Sequence, residues 1–157
     1  MKATSEDNLI KTALSDEIFE AVVKSANRST IKSFRTGAVI FDKDMNIVSK
    51  GCSHTPFGRA ANDKRSNHAE DHALDLISHI KDKSNLSIVI YTLNRKGENP
   101  ATSSRPCRDC AERLASADIA EVFYLERDNA GNWLLNQEKP VSIVARTHRR
   151  GRKRYEG

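Results

Sequence analysis

The sequence is poor in aromatic side chains and has no long apolar run. Aromatic residues make up 6% of the 157 positions, which leaves few side chains for stacking against nucleic-acid bases. No apolar stretch approaches the roughly 18–20 residues that a membrane-spanning helix requires. The polar residues 1–7 also lack the hydrophobic region of a secretory signal. We therefore expect a cytoplasmic protein with no membrane partner.

Cysteine is also scarce. The three cysteines are an odd number, and Cys107 and Cys110 form a C-x-x-C pair. In an intracellular protein such a pair is typical of metal binding or redox chemistry rather than of a structural disulfide. Cys52 follows an apolar run, and we interpret it as a small buried hydrophobic residue.

The length and the charge distribution predict one domain with a basic tail. A chain of this size has room for a single sizeable core. Residues 146–157 contain six basic side chains and one acid, which leaves 20 basic and 20 acidic residues in the rest of the chain. We expect a polar lead-in at 1–14, a folded domain at 15–145 and a flexible tail at 146–157. Such a tail is either a solvated end or an arm for nucleic acid.

The hydrophobic pattern alternates between helix-like and strand-like segments. Ser15 is placed to cap the first helix, and the β-branched run at 87–93 is typical of a strand buried on both faces. The sum predicts an α/β fold with three α/β/α layers and a mixed sheet of about five strands. The predicted elements are a helix at 16–25, strands at 36–41 and 46–50, a helix from about 68 to 80, a strand at 87–93, a helix from 107, and strands at 121–125, 133–135 and 141–144.

Two short motifs carry the chemistry. They are His68-Ala69-Glu70 and Pro106-Cys107-Arg108-Asp109-Cys110, each at a predicted helix start behind a predicted strand. A helix N-terminus favours thiolate over thiol, and two cysteines one turn apart can converge on one ion. One imidazole and two thiolates would hold Zn²⁺ and leave its fourth position to water, as in catalytic zinc sites.

Glu70 supplies the remaining group that hydrolysis needs. Zinc lowers the pKa of its bound water toward neutrality, and a free carboxylate beside the metal can take and return protons. A lone C-x-x-C also fits a structural zinc or a redox pair, but a redox pair leaves Glu70 unexplained. The conjunction of the two motifs favours a catalytic zinc site.

Three polar residues near these motifs have less certain roles in the sequence. His72 lies four positions after His68 on the same helix face, and we interpret it as a neighbour of the site or a surface residue. Ser53 and His54 follow the second predicted strand. They either line the substrate pocket or belong to an exposed loop.

With these motifs, the chain resembles the cytidine and deoxycytidylate deaminase superfamily of zinc-dependent nucleobase deaminases over roughly residues 15–125. The resemblance implies a cytidine-deaminase-like fold. It also implies that His68, Cys107 and Cys110 bind zinc and that Glu70 is the catalytic proton shuttle. Two further roles follow from it: Ala69 approaches the base with its backbone, and Pro106 shapes the turn into the cysteine helix.

The activity implied is hydrolysis of a C–N bond in a cyclic amidine, converting cytosine to uracil on a free nucleoside or nucleotide such as dCMP or CMP. One alternative is a deaminase of single-stranded DNA or RNA, suggested by the basic tail at 146–157. A second is a catalytically silent protein in which zinc only holds the fold. The resemblance is compatible with a homo-oligomer. It does not determine which base is the substrate.

Overall fold

The structure, a computed structural model, describes residues 5–30, 35–54, 68–93, 105–127, 130 and 132–145. A five-stranded sheet is flanked by helices in this part of the chain. The elements in chain order are α1 (Ser5–Ala13), α2 (Asp16–Asn27), β1 (Arg35–Phe41), β2 (Ile47–Cys52), α3 (Ala69–Asp75), β3 (Ser87–Leu93), α4 (Arg108–Ser116), β4 (Glu121–Arg127) and β5 (Trp133–Glu138).

The sheet is mixed, with the strand order β2-β1-β3-β4-β5. Strand β1 pairs antiparallel with both β2 and β3, while β3 and β4 are parallel and β5 returns antiparallel to β4. Strands β2, β3 and β4 therefore run in the same direction. As a result, the segments that follow β2 and β3 leave the sheet at the same edge.

The sheet divides the core into two halves, as the side chains of the interior strand β1 show. Ala38 and Ile40 belong to the buried cluster that includes residues of α3 and α4. Val39 and Phe41 belong to the cluster that includes residues of α1 and α2. Because successive side chains of a strand point to opposite faces, the helices cover both faces of the sheet. The predicted three-layer α/β/α fold with a mixed sheet of five strands is confirmed.

Helix α2 begins where the sequence predicts. The Ser15 Oγ accepts the backbone N–H of Ile18 at 3.1 Å, which satisfies one of the free donors of the first helical turn. Ile18 and Val22, four positions apart, are fully buried against the sheet. In the described part of the chain, no helix combines the length and apolar character that crossing a membrane requires.

Two predictions about the ends of the domain are wrong. Residues 5–13 of the expected polar lead-in form α1, and Ile10 is fully buried in the core beside α2. Residues 140–145 are helical rather than a strand. Packing of Ile10 in the core holds α1 on the sheet, and Pro140 suits the first turn of a helix because it has no N–H to satisfy.

The helix that carries the first motif lies unusually close to β2. A side chain at Gly51 would place its Cβ 2.6 Å from both the Ala69 carbonyl oxygen and the Ala73 nitrogen. Only glycine allows this approach. Helix α3 ends at Asp75 and is followed by turns at 76–79, so it is shorter than predicted. Its first turn is thereby held directly over the end of β2.

Candidate metal centre

The two motifs meet at the edge of the sheet where β2 and β3 end. His68 is the N-cap residue of α3, and Cys107 is the N-cap residue of α4. Both helices follow strands that point the same way, so their first turns lie side by side. The fold thus brings together residues that are 39 positions apart in the chain.

One imidazole and two sulfurs converge at this edge. The His68 Nδ1 lies 3.1 Å from the Cys110 Sγ and 3.6 Å from the Cys107 Sγ. All three potential ligand atoms lie within 4.8 Å of one another. Tetrahedral zinc, with bonds of about 2.0–2.1 Å to nitrogen and 2.3 Å to sulfur, places such donors about 3.6 Å apart. The donor set fits a zinc ion in its chemistry and in its spacing.

The local structure favours negative charge on one of the two sulfurs, that of Cys107. The Cys107 Sγ accepts the backbone N–H of Cys110 at 3.5 Å, as a cap of α4. The Cys110 thiol and then His68 stabilise the Cys107 thiolate by hydrogen bonds, and they lower the pKa of Cys107 to about 4. The same thiol–thiolate contact, together with burial, raises the pKa of Cys110. Contact with Cys107 also raises the pKa of His68 to about 9.

Glu70 lies in the first turn of α3, two residues after His68, and its side chain is only 4% exposed. Burial raises the pKa of Glu70 to about 7, and the nearby charges of Cys107 and His68 act on it in opposite directions. A buried carboxyl group that has no hydrogen-bonding or ionic partner lowers the stability of the folded protein. One beside a set of metal-type ligands is a candidate for proton transfer.

An ion pair joins the two helices beside the site. Arg113 of α4 bonds the Oδ2 of Asp71, the residue after Glu70. The Arg113 side chain is 57% exposed and that of Asp71 is 23% exposed. The Asp71 Oδ1 is buried and has no hydrogen-bond partner among the described residues. The pair therefore ties the first turn of α3 to the middle of α4.

The predicted substrate contacts are all near this edge of the sheet. Ala69 is fully buried, with its carbonyl group over Gly51, and Pro106 is buried directly before Cys107. The Ser53 hydroxyl is already engaged: it accepts the Thr36 N–H at 3.2 Å and shares a 2.6 Å hydrogen bond with Ser29. A contact between Ser53 and a substrate stays a prediction.

The sequence analysis missed a second group of possible ligands. Cys52, His54 and His72 each offer a sulfur or a ring nitrogen, and these atoms lie within 4.8 Å of one another. Cys52 is half-buried rather than fully buried. The expected burial of Cys52 is therefore only partial. One signal could have found this group, because Cys52 and His54 are two apart at the end of a strand and so share a face.

Comparisons with known proteins agree with this geometry. Residues 13–126 match the family model described as the cytidine and deoxycytidylate deaminase zinc-binding region. The fold is similar to that of a cytidine deaminase from Burkholderia pseudomallei, with a TM-score of 0.58 and 16% identity over 90% of this chain and 96% of that one. It is also similar to a dCMP deaminase from the cyanophage S-TIM5, with a TM-score of 0.51 and 19% identity over 85% and 94%. A comparison with curated proteins finds no match.

The family model covers well over half of the chain, including both motifs. The described structure adds a donor set that fits zinc. The protein is therefore a member of the cytidine and deoxycytidylate deaminase family, and its metal is zinc.

Proposed function

We propose that the protein is a zinc-dependent hydrolase that converts a cytosine moiety to uracil on a free nucleoside or nucleotide such as dCMP or CMP, with a role in nucleotide metabolism. Family membership supports deaminase chemistry. The observation that carries the proposal is the buried carboxyl group of Glu70 close to a group that, among the described residues, has three ligand-type side chains. Catalytic zinc sites have three protein ligands and leave the fourth coordination position to water or substrate, whereas structural sites have four protein ligands.

In this proposal His68, Cys107 and Cys110 hold the metal. When bound, zinc would act as a Lewis acid and lower the pKa of water, which makes the water a nucleophile near neutral pH. The two sulfurs come from one turn of α4 and the imidazole from the start of α3. Packing at Gly51 and the Asp71–Arg113 pair fix the relative positions of the two helices.

Glu70 moves the protons. The reaction adds water across the N3=C4 double bond of the cytosine ring, so that C4 gains a bond to oxygen and N3 gains a proton. The bond from C4 to the exocyclic nitrogen then breaks and ammonia is released. The Glu70 carboxylate takes a proton from the attacking water and delivers protons to the ring nitrogen and to the departing amine. Its burial keeps it away from bulk solvent and close to the reacting atoms. Ala69 and Pro106 flank this carboxyl group and the thiolates, and we assign them to shaping the base pocket.

A substrate panel tests the proposal. Ammonia release is measured with the zinc-loaded protein on cytidine, deoxycytidine, CMP and dCMP, beside single-stranded DNA and RNA oligonucleotides that contain cytosine or adenine. We expect turnover on at least one of the four small molecules and a lower kcat/KM on every oligonucleotide. Turnover confined to oligonucleotides would favour the polynucleotide alternative. That alternative rests on the composition of the tail at 146–157, which lies outside the described residues, and the comparisons do not support it.

A substitution at Glu70 separates catalysis from a structural zinc site. Glu70→Gln keeps the size of the side chain but cannot move protons, so we expect kcat to fall by about 10²–10⁴-fold with the zinc content unchanged. Asp75→Asn is the matched control, because Asp75 is an exposed carboxylate at the end of the same helix. Equal turnover in the wild type and Glu70→Gln would contradict the proposed role. Zinc retention without turnover on any substrate would favour the silent alternative.

A further inference from the structure

A second group of ligand-type side chains lies on the β2–α3 side of the fold. We call Cys52, His54 and His72 the second cluster. Cys52 ends β2, His54 lies two residues further on, and His72 is in the middle of α3. The potential ligand atoms of all three lie within 4.8 Å of one another. None of these residues is among the proposed ligands of the first zinc site.

Hydrogen bonds indicate which ring nitrogens carry a proton in the neutral imidazoles. The His54 Nδ1 lies 2.9 Å from the Cys52 carbonyl oxygen. Because a carbonyl oxygen only accepts, this nitrogen carries the hydrogen and the His54 Nε2 keeps its lone pair in the neutral ring. A ring N–H bonded to a backbone carbonyl is the usual arrangement behind a metal-binding histidine. His54 is thus already in the tautomer that a metal requires.

His72 is held in the same way by the backbone, but with the opposite polarity. The Cys52 N–H donates to the His72 Nδ1 at 3.1 Å, so this nitrogen has a lone pair that faces the cluster. The two imidazole rings meet edge to face, with their centroids 4.8 Å apart. Both rings are therefore oriented around the end of β2, and each has one unprotonated nitrogen in its neutral form.

We propose that the second cluster binds a second zinc ion through the Cys52 thiolate and one nitrogen of each imidazole. A thiolate with two imidazoles is a borderline-soft donor set, which zinc accepts and which calcium and magnesium do not. Tetrahedral zinc needs donors about 3.3–3.6 Å apart. The three side chains are half-buried and their potential ligand atoms lie within 4.8 Å of one another, so binding an ion requires them to move somewhat closer together.

The second cluster is expected to hold its ion more weakly than the first site. It offers one sulfur instead of two. In addition, binding at the His72 Nδ1 displaces the backbone N–H of Cys52, a bond that the first site does not have to give up at His68, whose Nδ1 faces the two sulfurs. A chelator should therefore remove the ion of the second cluster first.

The position of the second cluster gives its ion a structural consequence. It would join the end of β2 to α3 one helical turn beyond His68, on the helix that also carries Glu70. The close approach at Gly51 already presses these two elements together. An ion there would add a cross-link between the strand and the helix.

The test is the zinc stoichiometry of the full chain. Protein loaded with zinc alone is dialysed against metal-free buffer, and zinc per chain is measured by elemental analysis and by native mass spectrometry. We expect two ions in the wild type and one ion in both Cys52→Ser and His72→Gln. The matched control His79→Gln removes an exposed imidazole just beyond α3 and should keep two. Circular dichroism establishes that each variant is folded.

A second measurement uses only the wild type, so the test does not depend on the variants folding. Alkylation of Cys52 is followed by peptide mass spectrometry as zinc is titrated in. Protection of Cys52 should appear with the second equivalent of zinc, after protection of the exposed Cys107. One ion per wild-type chain, two ions in Cys52→Ser, or alkylation of Cys52 unaffected by zinc would each overturn the proposal. The proposal does not depend on deamination, because none of these readouts measures turnover.

Discussion

At the scale of single residues, Asp42 organises the turn between β1 and β2. Its Oδ1 accepts the backbone N–H groups of Asp44 and Asn46, both at 2.9 Å, and its Oδ2 accepts the Asn46 side chain at 3.2 Å. Met45 in the same turn has a φ of 67°, the left-handed conformation that tight turns often need. One carboxylate thus replaces the hydrogen bonds that a bent backbone cannot make with itself.

These bonds make the stability of the turn depend on pH. The backbone N–H of Asn46 in particular lowers the pKa of Asp42 below its usual value of 3.8. A group whose pKa is depressed in the folded state stabilises the fold above its unfolded pKa, and this contribution is lost as the pH falls through the folded pKa. We expect wild-type stability to fall more steeply below pH 4 than that of Asp42→Asn, as measured by urea denaturation. Asp44→Asn should follow the wild type. Parallel curves for wild type and Asp42→Asn would contradict this assignment.

Site residues could be predicted from the sequence where their spacing along one helix indicates that they lie close together. The Cys107–Cys110 and His68–Glu70 spacings match the signature of zinc nucleobase deaminases, and each motif lies at a predicted helix start. The second cluster could not be found in this way, because His72 reaches Cys52 only through the packing of α3 on β2. Gly51 allows the close packing that produces this contact. The residues around Gly51 in the sequence do not indicate which helix packs against it.

At the scale of elements, two glycines of the sheet decide how closely the helices approach. A Cβ at Gly51 would lie 2.6 Å from backbone atoms of α3, and a Cβ at Gly37 would lie 2.4 Å from the Ala26 nitrogen of α2. Backbone atoms cannot move aside as a flexible side chain can. Either substitution must therefore push a whole helix away from the sheet.

The two glycines should differ in their effect on the metal. Gly51→Ala and Gly37→Ala should each lower the free energy of unfolding by about 1–3 kcal/mol, the usual cost of overpacking. Only Gly51→Ala moves the helix that starts at His68, so we expect weaker zinc binding in this variant alone. Zinc affinity and urea denaturation of both variants provide the check. Equal zinc affinity in both would show that the position of α3 does not control the site.

The Asp71–Arg113 pair acts between elements, whereas the Arg108–Glu112 pair lies within α4 at a distance of 3.1 Å. Because these side chains are substantially exposed, either pair contributes only about 0.5 kcal/mol. Arg113→Ala should nevertheless increase the rate of zinc loss to a chelator, since it frees α3 from α4. Arg108→Ala should not. An identical rate of zinc loss in both variants would argue against the pair as a positioning device.

The type of most elements could be predicted from periodicity, and the exceptions have a common cause. The segment at 140–145 has an apolar, β-branched pattern, yet it is helical, with Pro140 and Ile143 buried and Val141 61% exposed. A strand there would need a partner at the edge of the sheet. A short apolar run does not indicate whether a partner strand is available. Tertiary packing therefore decides whether the segment becomes a strand or a helix.

At the scale of the whole molecule, the domain extends further toward the N-terminus than its composition indicates. Helix α1 contacts the sheet through Ile10, which lies in the same buried cluster as Ile18 and Phe123. A cavity of about 620 Å³, lined by Leu9, Trp133 and Leu135 among others, lies between α1 and β5. The first helix is thus part of the layer that covers one face of the sheet. Assembly of the whole protein into a homo-oligomer stays a prediction.

Removal of the Ile10 side chain tests this boundary. Ile10→Ala should lower the free energy of unfolding by about 2–5 kcal/mol, because it leaves a cavity in a fully buried position. The exposed Val141 provides the control, and Val141→Ala should change stability by less than about 0.5 kcal/mol. Zinc content should be unaffected in both. A cost for Ile10→Ala as small as that for Val141→Ala would mean that α1 is not docked in solution.

The ligands of the first site are divided between two stretches of chain. Nitrogen comes from the β1–β2–α3 stretch and both sulfurs from the β3–α4–β4 stretch. A nascent or damaged polypeptide in which only one stretch has folded offers an incomplete set of donors. Its affinity for zinc is therefore low. Loading with zinc would then act as an assay of maturation. The zinc-to-protein ratio of a preparation would count the molecules whose two stretches have come together.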